Sequence, residues 1–303
     1  MRFNRLDLNL LIALDALLRE KNVSRAAERM HLSQSAMSNA LSRLREYFDD
    51  QLLVQVGRRL ELTPRAEMLQ DSVRDVLVRI DATIATQPEF VPAESTRVFQ
   101  LLVSEFTSIV LMPMVLELAW RETRTVGFDL MPQTIEPEKL LNRGAADLLI
   151  MPSDYMSPDH PTEALFEENY VCVVWEGNRR IGDTLSFDDY LESGHVAVQL
   201  GPDKLPAFEG WFLKRYGIAR RIEVTTSNMQ IPCSLVVGTD RIATVHARLA
   251  REAAKMLPIR LLPPPIDIQP LTQAMQWHKH KENDPGMRWL RDLLLRASRA
   301  IAP

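Results

Sequence analysis

The sequence predicts an α/β chain in three parts: a small helical head, a long connecting helix and a two-lobed α/β body. Three observations carry this. Residues 1–65 contain three short stretches of helical periodicity joined by tight turns. A long amphipathic stretch with one apolar stripe follows. From Val98 onward, short apolar runs alternate with amphipathic segments, a pattern that argues parallel α/β sheets. At 303 residues the chain is about two domains long.

The elements follow in order. Leu8, Leu11, Leu14 and Leu18 recur at helical spacing and predict a first helix over about 7–20. Ser24 is placed to cap a short second helix that turns Ala26, Ala27 and Met30 inward. Ser33 caps a third, with Met37, Leu41, Leu44 and Phe48 on one face. Only His31 and Leu32 separate the second helix from the third, too few for antiparallel stacking, so the pair reads as a helix-turn-helix. Leu52–Val56, the turn Gly57-Arg58-Arg59 and Leu60–Leu62 make a small wing.

Thr63-Pro64 opens the connecting helix, with Thr at the cap and Pro at the first helical position. Its stripe of Leu69, Val73, Leu77, Ile80 and Ile84 calls for burial, most simply on a second subunit. A hinge is expected from Gln87-Pro88 to Pro92-Ala93. In the body, strands are expected at Val98–Ser104, Gly127–Met131, Asp147–Met151, Val171–Trp175, Val196–Leu200, Ile222–Thr225 and Arg241–Val245. Helices are expected near Ser108–Glu122, Pro137–Arg143, Phe187–Glu192, Leu205–Tyr216, Met229–Val237 and Ala247–Lys255. The body is long for one sheet, which favours two lobes with a cleft between them, where strand ends meet.

Composition narrows the function. The chain is 46% hydrophobic and 25% charged, ordinary values for a folded protein. Its two cysteines, Cys172 and Cys233, are too few for a disulfide framework or a tetrahedral zinc site and suit a reducing compartment. No apolar run approaches the roughly 20 residues that cross a bilayer. The polar residues Asp7, Asn9 and Asp15 break the opening apolar stretch, and no small-residue cleavage site follows, so a cytoplasmic protein without a membrane partner is expected. The net charge of −4 is uneven: residues 1–65 carry 11 Lys/Arg against 8 Asp/Glu. A basic head on an acidic body hints at a polyanion partner.

The third helix sharpens that hint. With Met37, Leu41 and Leu44 inward, it presents Gln34, Ser35, Ser38, Asn39 and Ser42, with Arg43 and Arg45 behind. A solvated face would carry more Lys and Glu, whereas Gln and Asn can pair two-fold with adenine. Ser33 and Gln34 at the helix N-terminus also suit phosphate, and Ser24 and Arg25 of the preceding helix are further DNA-binding candidates. Arg58 and Arg59 in the wing turn are within reach of phosphate or the minor groove; for each singly, a solvated turn residue is an equal reading.

The run from Asn22 to Ser38 resembles the winged helix-turn-helix of LysR-type transcriptional regulators. These carry a close variant of Ala-Ala…Leu-x-x-Ser-Gln-Pro-Ala-Val-Ser and end in a Leu-Thr-Pro step, here Leu60-Glu-Leu-Thr-Pro-Arg-Ala66. The opening Met1–Leu18 and the closing Ala297–Pro303 are most similar to the nodulation regulators, flavonoid-responsive activators. Asn169–Val173 and Gly238–Val245 are similar to the wider branch that senses aromatic compounds. Met30 stands where Leu is usual, Ser35 where Pro is usual and Arg65 where Gly is common, and Ser35 and Arg65 bear on DNA preference.

The resemblance implies a DNA-binding head over 1–63, a linker helix and hinge over 64–92, and a periplasmic-binding-protein-like effector domain over 93–303. Its lobes would span about 93–168 with 269–303, and 169–268. It implies double-stranded promoter DNA, RNA polymerase and a small aromatic inducer as partners, a dimer of dimers, and no cofactor. It points to Ser104, Phe106 and Thr107 at the end of the first body strand, Asn169 at the lobe crossing, and Asn228 and Met229 as effector contacts. Ser104 and Thr107 precede the expected helix, whose N-terminus suits a phenolate or carboxylate, and Phe106 suits stacking on a ring. Ordinary capping and packing is the competing reading of each.

Rival functions lack support in the residues. His278-Lys279-His280 offers two imidazoles on one strand face, too few for a metal, so surface histidines are expected. The chain has no Gly-x-Ser-x-Gly elbow, Gly-x-Gly-x-x-Gly or phosphate loop, which argues against an enzyme. Met112, Met114, Met131, Met151 and Met156 read as core filler. A two-lobed body alone would also suit a solute-binding protein, against which the head counts. A regulator of aromatic catabolism is the nearer alternative.

Overall fold

The computed structural model describes residues 6–57, 59–84, 89–134, 136–199 and 214–301, which fall into two compact units. Outside the described residues lie Arg58, the hinge at 87–88, and the expected Leu205–Tyr216 helix up to residue 213.

The first unit gathers the chain up to Glu89 with Glu138–Asp147 and His278–Met287. It opens with α1 (Leu8–Glu20), α2 (Val23–Arg29) and α3 (Gln34–Phe48), followed by the antiparallel hairpin of β1 (Leu53–Val56) and β2 (Arg59–Leu62), then α4 (Pro64–Ile84). Each start is capped by a short polar side chain. Asp7 accepts from the Leu10 amide at 2.8 Å, and Ser33 from the Ala36 amide at 3.2 Å. For α2 the cap is Asn22, which accepts from the Arg25 amide at 3.0 Å, so Ser24 lies one residue inside the helix rather than capping it. Thr63 caps α4, accepting from the Ala66 amide at 3.1 Å and donating to Asp50 at 2.6 Å. Lys21 and Asp49 end α1 and α3 in the left-handed conformation, at φ 46° and 50°.

The core of this unit joins Leu10, Leu14 and Leu17 of α1 to Ala26 and Ala27 of α2, and to Met37, Leu41 and Leu44 of α3. The alanines let α2 and α3 approach closely. Leu8, expected inward, is 40% exposed. At 3.6 residues per turn it stands about 160° round the helix from Leu10. The stripe of α4 is also covered nearer home than expected. Val73 is buried in this same core, and Leu69 and Leu77 pack against it, while Arg74 pairs with Asp15 of α1 at 2.6 Å. His278 and His280 are not a surface pair on a strand. His278 is fully buried at the start of a 3₁₀ turn, its Nε2 3.3 Å from Asp75 of α4.

The second unit carries two five-stranded sheets. One runs β4 (Gly127–Pro132), β3 (Val98–Val103), β5 (Leu148–Pro152), β12 (Leu271–Trp277), β6 (Thr162–Glu168). The other runs β11 (Ile259–Leu262), β7 (Tyr170–Trp175), β10 (Ile242–His246), β8 (Gly194–Val198), β9 (Arg221–Thr226). Helices α5 (Glu105–Val110), α6 (Met112–Glu122), α8 (Phe187–Glu192), α9 (Pro232–Leu235), α10 (Ala247–Ala254) and, from Arg288 on, α11 (Pro285–Ala300) accompany them, whereas α7 (Pro137–Asn142) belongs from Glu138 on to the first unit. The sheets are mixed rather than parallel. β3 pairs parallel with β4 and β5, but β12 runs antiparallel to both β5 and β6. The cause is the chain's path: it leaves the first sheet after Glu168 and returns at Leu271 to insert one reversed strand. The helix expected over Ser108–Glu122 is two, broken where Leu111 meets Met112-Pro113.

Candidate functional site

The first site is the outer face of α3. Burial of Met37, Leu41 and Leu44 leaves Gln34, Ser35, Ser38, Asn39, Ser42 and Arg43 exposed. The Ser33 hydroxyl is spent on its cap and on Ser35 Oγ at 2.9 Å, which pins Ser33 as a positioning residue. Arg43 lies 3.4 Å from Asp7 with both side chains about half exposed, a pairing that water screens. Arg25 is exposed, its guanidinium donating to the Glu20 carbonyl at 2.9 Å, and Ser24 is half-buried. Arg59 is exposed at the start of β2. Arg45, by contrast, braces the wing: its guanidinium donates to the carbonyls of Gln51 and Leu53 at 2.8 and 3.0 Å.

The second site lies in the other unit, where the two sheets meet. A cavity of about 650 Å³ opens at the end of β3, within the size range of small-molecule pockets. Val103, Leu130, Met131, Pro132 and Met229 give it apolar walls. Ser104, Glu105, Ser108, Gln133, Thr134 and Ser227 supply polar groups. Of the expected effector residues, Ser104 and Met229 line it. Asn228 stands behind, its amide nitrogen donating to Glu105 at 2.8 Å.

Three expected contacts are placed differently. Phe106 is buried beneath the cavity, its ring 4.5 Å from that of His246 and 6.2 Å from Phe166. Thr107 is fully buried, its hydroxyl 3.0 Å from Ser104 Oγ. Because α5 begins at Glu105, successive residues point about 100° apart, and only Glu105 and Ser108 of its first turn face the opening. Asn169 is exposed away from the cavity, and its carbonyl accepts from the Ala247 amide at 2.8 Å. Glu105 and Ser227 lie within the stretches Ser104–Thr107 and Ser227–Met229 to which the resemblance points, though no role was assigned to them; Ser108, Gln133 and Thr134 were not singled out by the sequence as effector contacts. Ser227 adjoins the Asn228-Met229 pair, and Glu105 and Ser108 flank Phe106-Thr107, so the spacing 104, 105, 108 was the available signal.

Below the second sheet lies a buried polar group outside both sites. Arg220 donates to His195 Nδ1 at 3.2 Å and to Thr244 Oγ1 at 3.1 Å, and His195 Nε2 meets the Tyr190 carbonyl at 2.6 Å. Burial and the Arg220 charge push His195 down to about 3, so it is a neutral packing residue. Cys172 and Cys233 are buried thiols pushed up to about 12 and about 11 by desolvation, which leaves them unreactive. Among the described residues, no helix is long and apolar enough to cross a membrane.

A DNA-reading head joined to a two-lobed body with a cavity defines a class: ligand-responsive transcriptional regulators. Residues 8–67 match the bacterial regulatory helix-turn-helix model of the lysR family, and 92–299 match the LysR substrate binding domain. The chain belongs to the LysR family, and it is a transcriptional regulator rather than an enzyme. It is 42% identical over 304 residues to nodulation protein D 1 of Rhizobium tropici, covering 100% of this chain and 99% of that protein. It is 41% identical to nodulation protein D 1 of Rhizobium meliloti (strain 1021), covering 100% and 98%. Among solved structures, a probable transcriptional regulator of Pseudomonas aeruginosa superposes with TM-score 0.64 at 28% identity, covering 96% of this chain and 97% of that one. A full-length OxyR from the same organism gives TM-score 0.76 over 98% and 96% of the chains at 17% identity, a likeness of fold alone.

Proposed function

We propose that this regulator is an activator of the nodulation type, switched by a flavonoid or related aromatic inducer held in the interlobe cavity. The observation that supports this best is full-length similarity, at 42% identity, to nodulation protein D. The cavity agrees in kind: apolar walls with a few polar groups suit a flat hydroxylated ring system. In this reading the protein works in the cytoplasm as a dimer of dimers, without metal or prosthetic group. Its α3 helices enter major grooves about 34 Å apart. Inducer binding favours one arrangement of the oligomer, changing DNA bending and the contact with RNA polymerase. Ser104 and Met229 belong to the inducer site; Phe106, Thr107 and Asn228 support it from behind.

The test is a shift assay on DNA upstream of the chain's own gene and its neighbour, with a panel of flavonoids and simple aromatics. A flavonoid-dependent change in complex or footprint is expected. A response to catabolic aromatics alone would assign the protein to aromatic-compound catabolism instead.

A further inference from the structure

Glu105 is the one ionisable side chain on the described lining of the cavity, and it already has partners across the lobes. Its two carboxylate oxygens accept from the Asn228 side-chain amide at 2.8 Å and from the Met229 backbone amide at 2.6 Å. Asn228 cannot turn away. Its own side-chain oxygen accepts from the amides of Gln230 and Ile231 at 2.8 and 3.0 Å, and its backbone amide donates to Thr226 Oγ1 at 3.1 Å. That orientation fixes the Asn228 NH₂ group toward Glu105. Two donors held side by side call for two acceptor oxygens on one group, which is what a carboxylate provides.

We infer that Glu105 occupies, from within the chain, the seat that an effector carboxylate would take, and so makes the cavity select neutral phenols over aromatic acids. The inference rests on the effector-cavity reading above and narrows its ligand class. An aromatic acid entering this cavity meets a like charge and finds the matching donor pair taken. A phenol hydroxyl meets an acceptor in Glu105 and in the lining Ser104, Ser108 and Gln133 side chains. The same two bonds tie the first lobe to the second, so a phenol that engages Glu105 acts directly on the interlobe contact.

The test measures binding of two probes, a trihydroxyflavanone and benzoate, to the full-length protein by calorimetry at pH 6.5. Wild type, Glu105→Ala and Glu105→Gln are compared, with operator binding as the folding control. Wild type should bind the flavanone and bind benzoate at least tenfold more weakly. Glu105→Ala empties the seat and should tighten benzoate binding at least tenfold. Glu105→Gln removes the charge but still fills the space, so it should tighten benzoate by a smaller factor of about 3, and it carries the test if the alanine variant does not fold. Flavanone binding by all three proteins with benzoate unchanged overturns the selector alone. Binding of neither probe by any of them overturns the cavity reading, and the selector with it.

Discussion

Gln34 stands exposed at the first position of α3, one residue after the Ser33 cap, with Ser38 and Asn39 at helical spacing behind it. In the proposed DNA-reading role, this exposed amide is the group that would meet a base edge. Gln34→Ala should therefore weaken binding to the cognate operator by about 1–3 kcal/mol while leaving non-specific DNA binding unchanged. Fluorescence anisotropy on both DNAs checks this; an equal loss on both would assign Gln34 to the phosphate backbone. His246 makes a different kind of prediction. Its ring is stacked between Phe106 and Tyr170, at 4.5 and 4.9 Å, and its Nδ1 is buried without a hydrogen-bond partner among the described residues. Desolvation pushes its pKa down to about 4. The unfolded chain takes up this proton as pH falls through about 6.5, and the folded chain holds out until about 4. The stabilisation is thus complete above pH 6.5 and is lost on the way down to 4, a total of roughly 3 kcal/mol at 1.36 kcal/mol per unit. His195 loses stability in the same direction. Urea midpoints measured between pH 7.5 and 4 should fall less steeply for His246→Phe than for wild type; parallel curves would remove His246 from the acid sensitivity.

At the level of elements, α4 corrects a sequence expectation and moves a prediction. Its stripe was legible, but periodicity does not say which surface covers it, and the head claims Leu69, Val73 and Leu77. Met68, 73% exposed, and Val76, 44% exposed, are left uncovered by the head, Val76 at the margin of the stripe. Leu77→Glu should therefore lower the melting temperature of the head, whereas Met68→Glu with Val76→Glu should weaken self-association at unchanged melting temperature. Sedimentation and calorimetry on both variants check this; dissociation by Leu77→Glu without loss of stability would place the subunit contact on the stripe itself. What the sequence hid elsewhere has equally specific causes. β12 did not read as a strand because its buried residues include Gln273 and Gln276, one on each face. Gln276 is satisfied by donating to the Ser157 carbonyl at 2.7 Å and to Thr162 Oγ1 at 2.9 Å, partners from distant chain that no local pattern shows. β6 carries Glu163, Glu167 and Glu168 at the edge of its sheet, which dilutes any apolar alternation. The α3 face was legible because three buried residues fix the phase of the helix. The cavity was legible only to within a residue or two: a one-residue change in where α5 starts decides whether Phe106 or Glu105 faces the opening.

At the scale of the whole second unit, the two sheets are joined where β6 passes into β7, and the join is built around a buried ion pair. Glu168, the last residue of β6, is 0% exposed, and Arg248 of α10 is 13% exposed. The Arg248 backbone amide donates to the Glu168 carboxylate at 2.9 Å, and its guanidinium donates both to that carboxylate and to the Glu167 carbonyl, the latter at 2.7 Å. The guanidinium also covers the Phe166 ring at 4.8 Å. Bringing two charges out of water is costly, so the pair adds little over a well-packed apolar substitute, but an unmatched survivor is expensive. Glu168→Gln should cost about 3–5 kcal/mol of body stability, because Arg248 keeps its charge with no anion beside it. Removing that cation too, in Glu168→Gln with Arg248→Met, should recover most of the loss, since methionine keeps the contact with Phe166. Operator binding should survive in every variant, because the head has its own core of Leu10, Leu14, Met37 and Leu44. The inducer dose–response should shift in the double variant even where stability returns, because the contact that fixes one lobe against the other has lost its directionality. Denaturant unfolding of the four proteins of this cycle gives the coupling energy; a single substitution costing less than about 1 kcal/mol would mean that the Phe106–His246–Tyr170 stack alone holds the join.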